Sequence, residues 1–202
     1  PSPWWTGSMK PSPRCAPNCP PARLPELSLV AGVATYDAVA EALAGSRAGR
    51  VELKWPNDVL IEGAKISGIL IESGTYGGTL MSLIGIGINV ASAPDVSDRA
   101  VTSLSARGSS LAAREVLDLL VAHTAHWLAT WEAADGFAAI RAAWAARAIP
   151  LGRPLEIKTQ DGPVAGAFAG LDDDGALLID LPLAGRRRFT FGDVTVLPSE
   201  RA

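Results

Sequence analysis

The residues of this 202-residue chain best suited to chemistry lie in one run, Lys54-Trp55-Pro56-Asn57-Asp58. The apolar stretch Val51–Lys54 reads as a strand that delivers the lysine to its end. Pro56 fixes its own φ and biases Trp55 toward an extended conformation. Asn57 and Asp58 are turn formers whose side chains bond nearby backbone amides. Taken alone, such a corner is either an ordinary surface turn between strands or a rigid mount that presents an ammonium group to an anion.

Two further segments carry the same theme. Lys65-Ile66-Ser67-Gly68-Ile69-Leu70-Ile71-Glu72 is an apolar strand with an interior glycine, which marks close approach of a backbone or ligand. Ile84-Gly85-Ile86-Gly87-Ile88-Asn89-Val90 alternates glycine with isoleucine, so the glycines and then Asn89 fall on one side of a strand. A bare wall with a polar group at its end suits a small molecule. Its G-x-G is not a dinucleotide fingerprint, because neither the third glycine nor the following helix is there.

The surrounding elements must position these groups. Residues 1–21 are crowded with proline and read as irregular. Leu29, Val33, Tyr36, Ala40 and Leu43 recur at helical spacing, and Gly45 follows, which predicts a helix covering a sheet. Strands are predicted over Val51–Lys54, Asp58–Glu62, Lys65–Ser73 and Thr79–Val90, too close together for helical crossovers, so the sheet is expected to be antiparallel or mixed. A loop over 92–110 leads to two helices. Val116, Leu120, His123, Trp127 and Trp131 mark one face of the first; Phe137, Ile140 and Trp144 mark the second. His123 on that stripe has the setting of a core or boundary histidine. Past Pro150, Leu155–Thr159, Val164–Leu171, Ala176–Leu181, Arg188–Phe191 and Val194–Leu197 read as short strands of a small β-barrel, with Asp161-Gly162 and Asp174-Gly175 as turns.

Composition narrows the classes. The apolar share of 48% is globular, and the formal net charge of −3 argues against a surface spread over nucleic acid. The run Arg186-Arg187-Arg188 reads as a solvated turn or edge strand. Cys15 and Cys19, with no second pair and no nearby histidine, read as free thiols, which points to a reducing, cytoplasmic setting. No apolar run reaches bilayer length and no signal peptide is visible, so no membrane association is expected.

In order and register, the three segments closely resemble the K-W-P-N-D, G-I-L-x-E and G-x-G-x-N motifs of the biotin protein ligases (biotin–acetyl-CoA-carboxylase ligases), from about Leu24 to the C-terminus. The resemblance implies an α+β fold of the class II synthetase and biotin ligase type: a mixed or antiparallel sheet covered by helices, followed by a small C-terminal SH3-like β-barrel. The domain reading is 1–21 as a stretch foreign to the family, 22–149 as a partial catalytic domain and 150–202 as the barrel. The activity implied is ATP-dependent attachment of biotin, through biotinyl-5′-AMP, to a lysine of a biotin carboxyl carrier domain. Biotin and ATP would be the substrates and Mg²⁺ the accompanying ion, with no residue assigned as a metal ligand. By motif match, Lys54 should contact the biotin carboxylate and the α-phosphate. Asn57 and Asp58 should shape the corner or position Mg²⁺-ATP, Gly68 and Ile69 should line the biotin and adenine pockets, and Asn89 should contact the nucleotide. Trp55 is left between core packing and adenine contact.

The sequence departs from the family in front of this region. Members carry a G-R-G-R-x-G-R loop roughly 65 residues before the motif lysine, whereas 53 residues precede Lys54 here and hold neither that loop nor the earlier Ser-Thr-Asn motif. That pattern is the expectation for an N-terminally truncated or frameshifted product, with family sequence resuming near Pro20. It sets an alternative beside the ligase: an inactive remnant that at most docks the carrier domain. No winged-helix pattern is visible, and no sequence-specific duplex binding is expected.

Overall fold

The computed structural model describes residues 23–76, 79–97 and 99–198. The readings made for residues 1–21, including Cys15 and Cys19, lie outside the described residues.

The motif-bearing region forms a four-stranded antiparallel meander, β1 (Val51–Lys54), β2 (Asp58–Ile61), β3 (Ala64–Tyr76) and β4 (Thr79–Ile88), each strand beside its sequence neighbour. The β2–β3 hairpin has a two-residue loop, Glu62-Gly63, with φ of 50° and 77°. Positive φ at both positions matches the twist of the flanking strands, and glycine takes the second one without strain. Helix α1 (Glu26–Ala42) packs against β1 to β4 on one side and against α2 (Ala113–Glu132) and α3 (Gly136–Arg147) on the other.

The expectation for α1 was a helix with one covered stripe. In the structure Leu27, Val30, Ala31, Gly32, Val33, Ala34, Thr35, Ala38 and Val39 are all buried, so the helix is enclosed on nearly every side. The sequence explains this, because small residues leave it no broad polar face. Gly32 shows the closeness: a Cβ there would lie 3.4 Å from the Trp144 indole nitrogen. On α2, Val116, Leu120 and Trp131 are buried, whereas His123 lies at the edge of the α1 contact with Nε2 2.8 Å from a Glu41 carboxylate oxygen.

Residues 154–196 form a second antiparallel sheet from β5 (Pro154–Thr159), β6 (Gly162–Leu171), β7 (Leu177–Leu181), β8 (Gly185–Phe189) and β9 (Asp193–Val196), in the order β8-β7-β6-β5-β9. Its core is Leu155, Ile157, Phe168, Leu177, Ile179, Phe189 and Val194. The arginine run falls on β8, an edge strand. There Arg186 pairs with Asp180 at 2.7 Å, Arg188 pairs with Asp172 and Asp174, and Arg187 lies over the Phe189 ring.

Of the two sheet types expected, the antiparallel one is found between the paired strands; among the described residues parallel pairing occurs only as isolated bridges at Leu53 with Ala148 and Lys65 with Val101. The β4 strand ends at Ile88, two residues short of the predicted end, because Asn89 turns the chain into the following loop. The barrel is seated on the first unit: Trp144 meets Phe168 edge-on at 6.4 Å, and Arg141 donates to the Asp172 carbonyl.

Candidate ligand site

Lys54, Asp58, Gly68 and Gly87 form one continuous row of directly opposed residues across all four strands: Lys54 opposite Asp58, Asp58 opposite Gly68, and Gly68 opposite Gly87. Opposed residues in an antiparallel sheet point to the same face. The three sequence segments are therefore brought together on one side of the sheet, away from α1. Two residues along, Leu70 stands opposite Gly85 on that same face and is 57% exposed. The glycines leave a flat floor, and a Cβ on Gly87 would meet only the Gly68 carbonyl oxygen, at 4.0 Å.

Charge is concentrated at one end of this floor. Lys54 Nζ lies 2.7 Å from Asp58 Oδ2, and Lys65 Nζ pairs with the other oxygen, Oδ1. Two ammonium groups on one carboxylate leave one positive charge to be met from outside the cluster. The three side chains differ in access: Asp58 is 6% exposed, Lys54 13% and Lys65 27%. Lys54 Nζ also donates to the Val194 carbonyl at 2.7 Å, while Lys65 reaches over the floor, its Nζ 3.0 Å from where a Gly68 Cβ would stand. Lys65 is thus the ammonium that faces the glycine floor, and the sequence reading assigned it no role. Its signal was the short Glu62-Gly63 hairpin, which folds residue 65 back beside β2 within reach of Asp58.

The other candidates have defined places. Asn57 Nδ2 donates to the Ile69 carbonyl at 2.7 Å while the Ile69 amide donates to the Asn57 carbonyl at 2.9 Å, so Asn57 pins the corner to β3. The Trp55–Pro56 peptide is cis, and the Trp55 indole is buried, its Nε1–H donating to the Gly175 carbonyl at 3.1 Å. The Trp55 indole thus packs between the two units. Ile69 is buried and opposes Ile86 on the α1 side, so its side chain does not share the face of Gly68. Asn89 Nδ2 donates to the Thr102 carbonyl at 3.0 Å and its backbone N–H to the Ile66 carbonyl, so it anchors the loop after β4. On the lysine face, Glu52 is pushed above the usual carboxylate range by burial, which outweighs the pull of Arg50 and Arg153.

No group of three acidic, histidine or cysteine side chains suited to a metal is found among the described residues. Asp58 already has both oxygens engaged by ammonium groups, so the cluster does not fit a protein-held Mg²⁺. No helix of the described residues is long and apolar enough to cross a membrane. A cavity of about 330 Å³, lined by Tyr36, Leu43, Arg50, Val51 and Arg147, lies on the outer side of β1 and includes none of the motif residues. Its arginines are held by Glu52 and Asp37, which leaves it without a free charge for a ligand.

This geometry can be set beside known proteins. The sequence model of the biotin/lipoate A/B protein ligase family matches residues 14–89, and that of the biotin protein ligase C-terminal domain matches residues 151–197. A biotin–[acetyl-CoA-carboxylase] ligase of Paracoccus denitrificans is 44% identical over 169 residues, covering 80% of this chain and 69% of the relative. The bifunctional ligase/repressor BirA of Bacillus subtilis is 32% identical over 176 residues, and the match spans 51% of that protein, about half its length. The apo biotin protein ligase of Aquifex aeolicus superposes with a TM-score of 0.70 at 26% identity, covering 88% of this chain and 76% of that one.

Proposed function

The chain belongs to the biotin/lipoate A/B protein ligase family, and from that premise we propose that it attaches biotin to a lysine of a carboxyl carrier domain at the expense of ATP. The single observation that carries the reading is the row Lys54–Asp58–Gly68–Gly87 with Lys65 over Gly68. A flat glycine floor accepts a ring system at close range, and the surplus positive charge at its end meets a carboxylate or phosphate.

The reaction would run in two steps. The biotin carboxylate oxygen attacks the α-phosphorus of ATP, the bond to the bridging oxygen breaks, and pyrophosphate leaves biotinyl-5′-AMP. The carrier lysine amine then attacks the acyl carbon; an amide forms, AMP leaves, and the amine gives up a proton. The first step brings two anions together and builds charge on phosphoryl oxygens, which a fixed ammonium offsets. We assign that contact to Lys54, the motif lysine, with Asp58 between it and Lys65, which lies over Gly68. Asn57 and Trp55 hold the corner, Gly68 supplies the floor, and Asn89 sets the loop at its end; the side chain of Ile69 supports the floor from the α1 side. Mg²⁺ would arrive on the nucleotide phosphates. A cytoplasmic setting, where ATP is present, suits this chemistry.

A second reading, in which this polypeptide docks the carrier domain without activating biotin, is distinguished by one assay: pyrophosphate release by the purified chain with biotin, Mg²⁺-ATP and a purified carrier domain. Biotin-dependent release that falls at least about a hundredfold in Lys54→Ala supports the ligase and its assigned lysine. Carrier binding without release supports the docking module, and neither binding nor release sinks both.

A further inference from the structure

We propose that Ser28 is a positioning residue for the motif lysine: its hydroxyl ties the Lys54–Asp58 corner to α1 and so sets where the Lys54 ammonium stands. The inference rests on the contact assigned to Lys54 above.

Ser28 lies in the first turn of α1, and its Oγ donates to the Pro56 carbonyl at 2.9 Å, across 28 residues of chain. Helical serines and threonines commonly return the hydroxyl to the carbonyl one turn back. Thr35 on the same helix does so, donating to the Ala31 carbonyl at 2.7 Å. Ser28 spends its donor outside the helix, on the corner. The anchor is firm: Glu26 accepts from Arg23 Nε at 3.0 Å and from Trp131 Nε1 at 2.5 Å, and Leu27 and Leu29 on either side of Ser28 are buried.

The corner depends on such ties. Residues 55–57 join Lys54 to its opposed partner Asp58, and each is tied to a different element. Trp55 donates to the Gly175 carbonyl of the barrel, Pro56 accepts from Ser28 of α1, and Asn57 exchanges hydrogen bonds with Ile69 of β3. The first two ties meet at one place, since a Cβ on Gly175 would lie 2.8 Å from Leu29, the neighbour of Ser28. Proline has no amide hydrogen, so the carbonyl is the polar backbone group by which Pro56 can be held.

The consequence falls on Lys54. Its Nζ is 2.7 Å from Asp58 Oδ2 and 2.7 Å from the Val194 carbonyl oxygen, which belongs to the other sheet. An ammonium carries three donors, so two fixed partners give the third N–H a set direction, available to a ligand anion. A corner released from α1 shifts Lys54 and Asp58 together against Val194 and turns that third donor.

The test compares the unaltered chain with Ser28→Ala, Ser28→Cys and Ser28→Thr. Thermal melts verify folding, labelling of Lys54 by an amine-acetylating reagent is followed by mass spectrometry, and biotin-dependent pyrophosphate release is measured over a range of biotin. Ser28→Ala and Ser28→Cys should speed Lys54 labelling by about three- to tenfold, because a loosened corner opens more often. They should lower kcat by about tenfold while KM for biotin changes less than about threefold, since the lysine is misplaced but the floor is intact. Ser28→Thr keeps the hydroxyl and should stay close to the unaltered chain in both. Cysteine, similar in size but a weak donor, separates the hydrogen bond from packing and serves if the alanine variant does not fold. Lys54 labelling that is no faster in the folded Ala or Cys variant overturns the positioning role, as does a threonine variant that labels as fast as the alanine one. An unaltered chain without biotin-dependent pyrophosphate release would count against the ligase reading alone, since labelling does not depend on turnover.

Discussion

Gly68 of β3 stands directly opposite Gly87 of β4 on the sheet face away from α1. Two side chains at these positions would fill the space above the centre of the sheet. Their absence leaves the backbone itself as the floor beside Lys65.

The two glycines differ in what a side chain would meet, and that separates ligand binding from folding. A Cβ at Gly87 has only the Gly68 carbonyl nearby, at 4.0 Å, so Gly87→Val should keep or raise the melting temperature, valine being a good strand residue. Its methyls would occupy the floor, and biotin-dependent pyrophosphate release should fall by about a hundredfold, as for other misplacements of a bound substrate. A valine variant with full activity would mean that ligand does not lie over Gly87.

Among the described residues Asp58 is the one carboxylate paired with both Lys54 and Lys65, and its side chain is 6% exposed. Asp58→Asn leaves two ammonium groups, one of them deeply placed, on a neutral amide. Removing one partner of a buried pair leaves an uncompensated charge, so the variant should lose about 3 kcal/mol in urea unfolding. A loss below about 1 kcal/mol would show that water reaches the cluster freely.

Asp172 predicts an acid-sensitive barrel. Burial works against its ionised form, but hydrogen bonds from Arg188 and from the Ala176 and Asp174 amides outweigh it and hold the carboxyl below its ordinary 3.8. A folded-state value below the unfolded one contributes stability that is present above the unfolded value and is lost as pH falls past it. Urea midpoints should therefore drop as pH falls below about 4, with a shallower drop in Asp172→Asn. An identical slope in the variant would remove Asp172 from the effect.

Gly136 opens α3 where the chain reverses from α2. A Cβ there would lie 2.2 Å from the Thr130 carbonyl oxygen and 2.6 Å from that of Trp131. Backbone cannot yield as a flexible side chain can, so Gly136→Ala should cost about 3 kcal/mol by urea denaturation, although alanine is the better helix former. A stabilised variant would show that the reversal between the helices can relax.

The local elements were legible in the sequence because each rests on short-range rules. Alternating isoleucine and glycine made β4, and helical spacing of large apolar residues made α2 and α3. The gathering of Lys54, Asp58, Gly68 and Gly87 on one face also followed in principle, since a meander with two-residue periodicity admits few registers. Motif order alone was enough to bring the family into view.

What tertiary structure decided is where side chains spend their bonds. Lys54 and Lys65 are equal as letters; only the approach of β9, which puts the Val194 carbonyl 2.7 Å from Lys54, turns one inward and leaves the other over the floor. Trp55 is claimed by the Gly175 carbonyl, 120 residues away in sequence. Asn57 and Asn89 are claimed by backbone carbonyls that packing places beside them. A hydrogen bond depends on distance and angle in space, and between residues far apart in the chain both are set by how the two units pack.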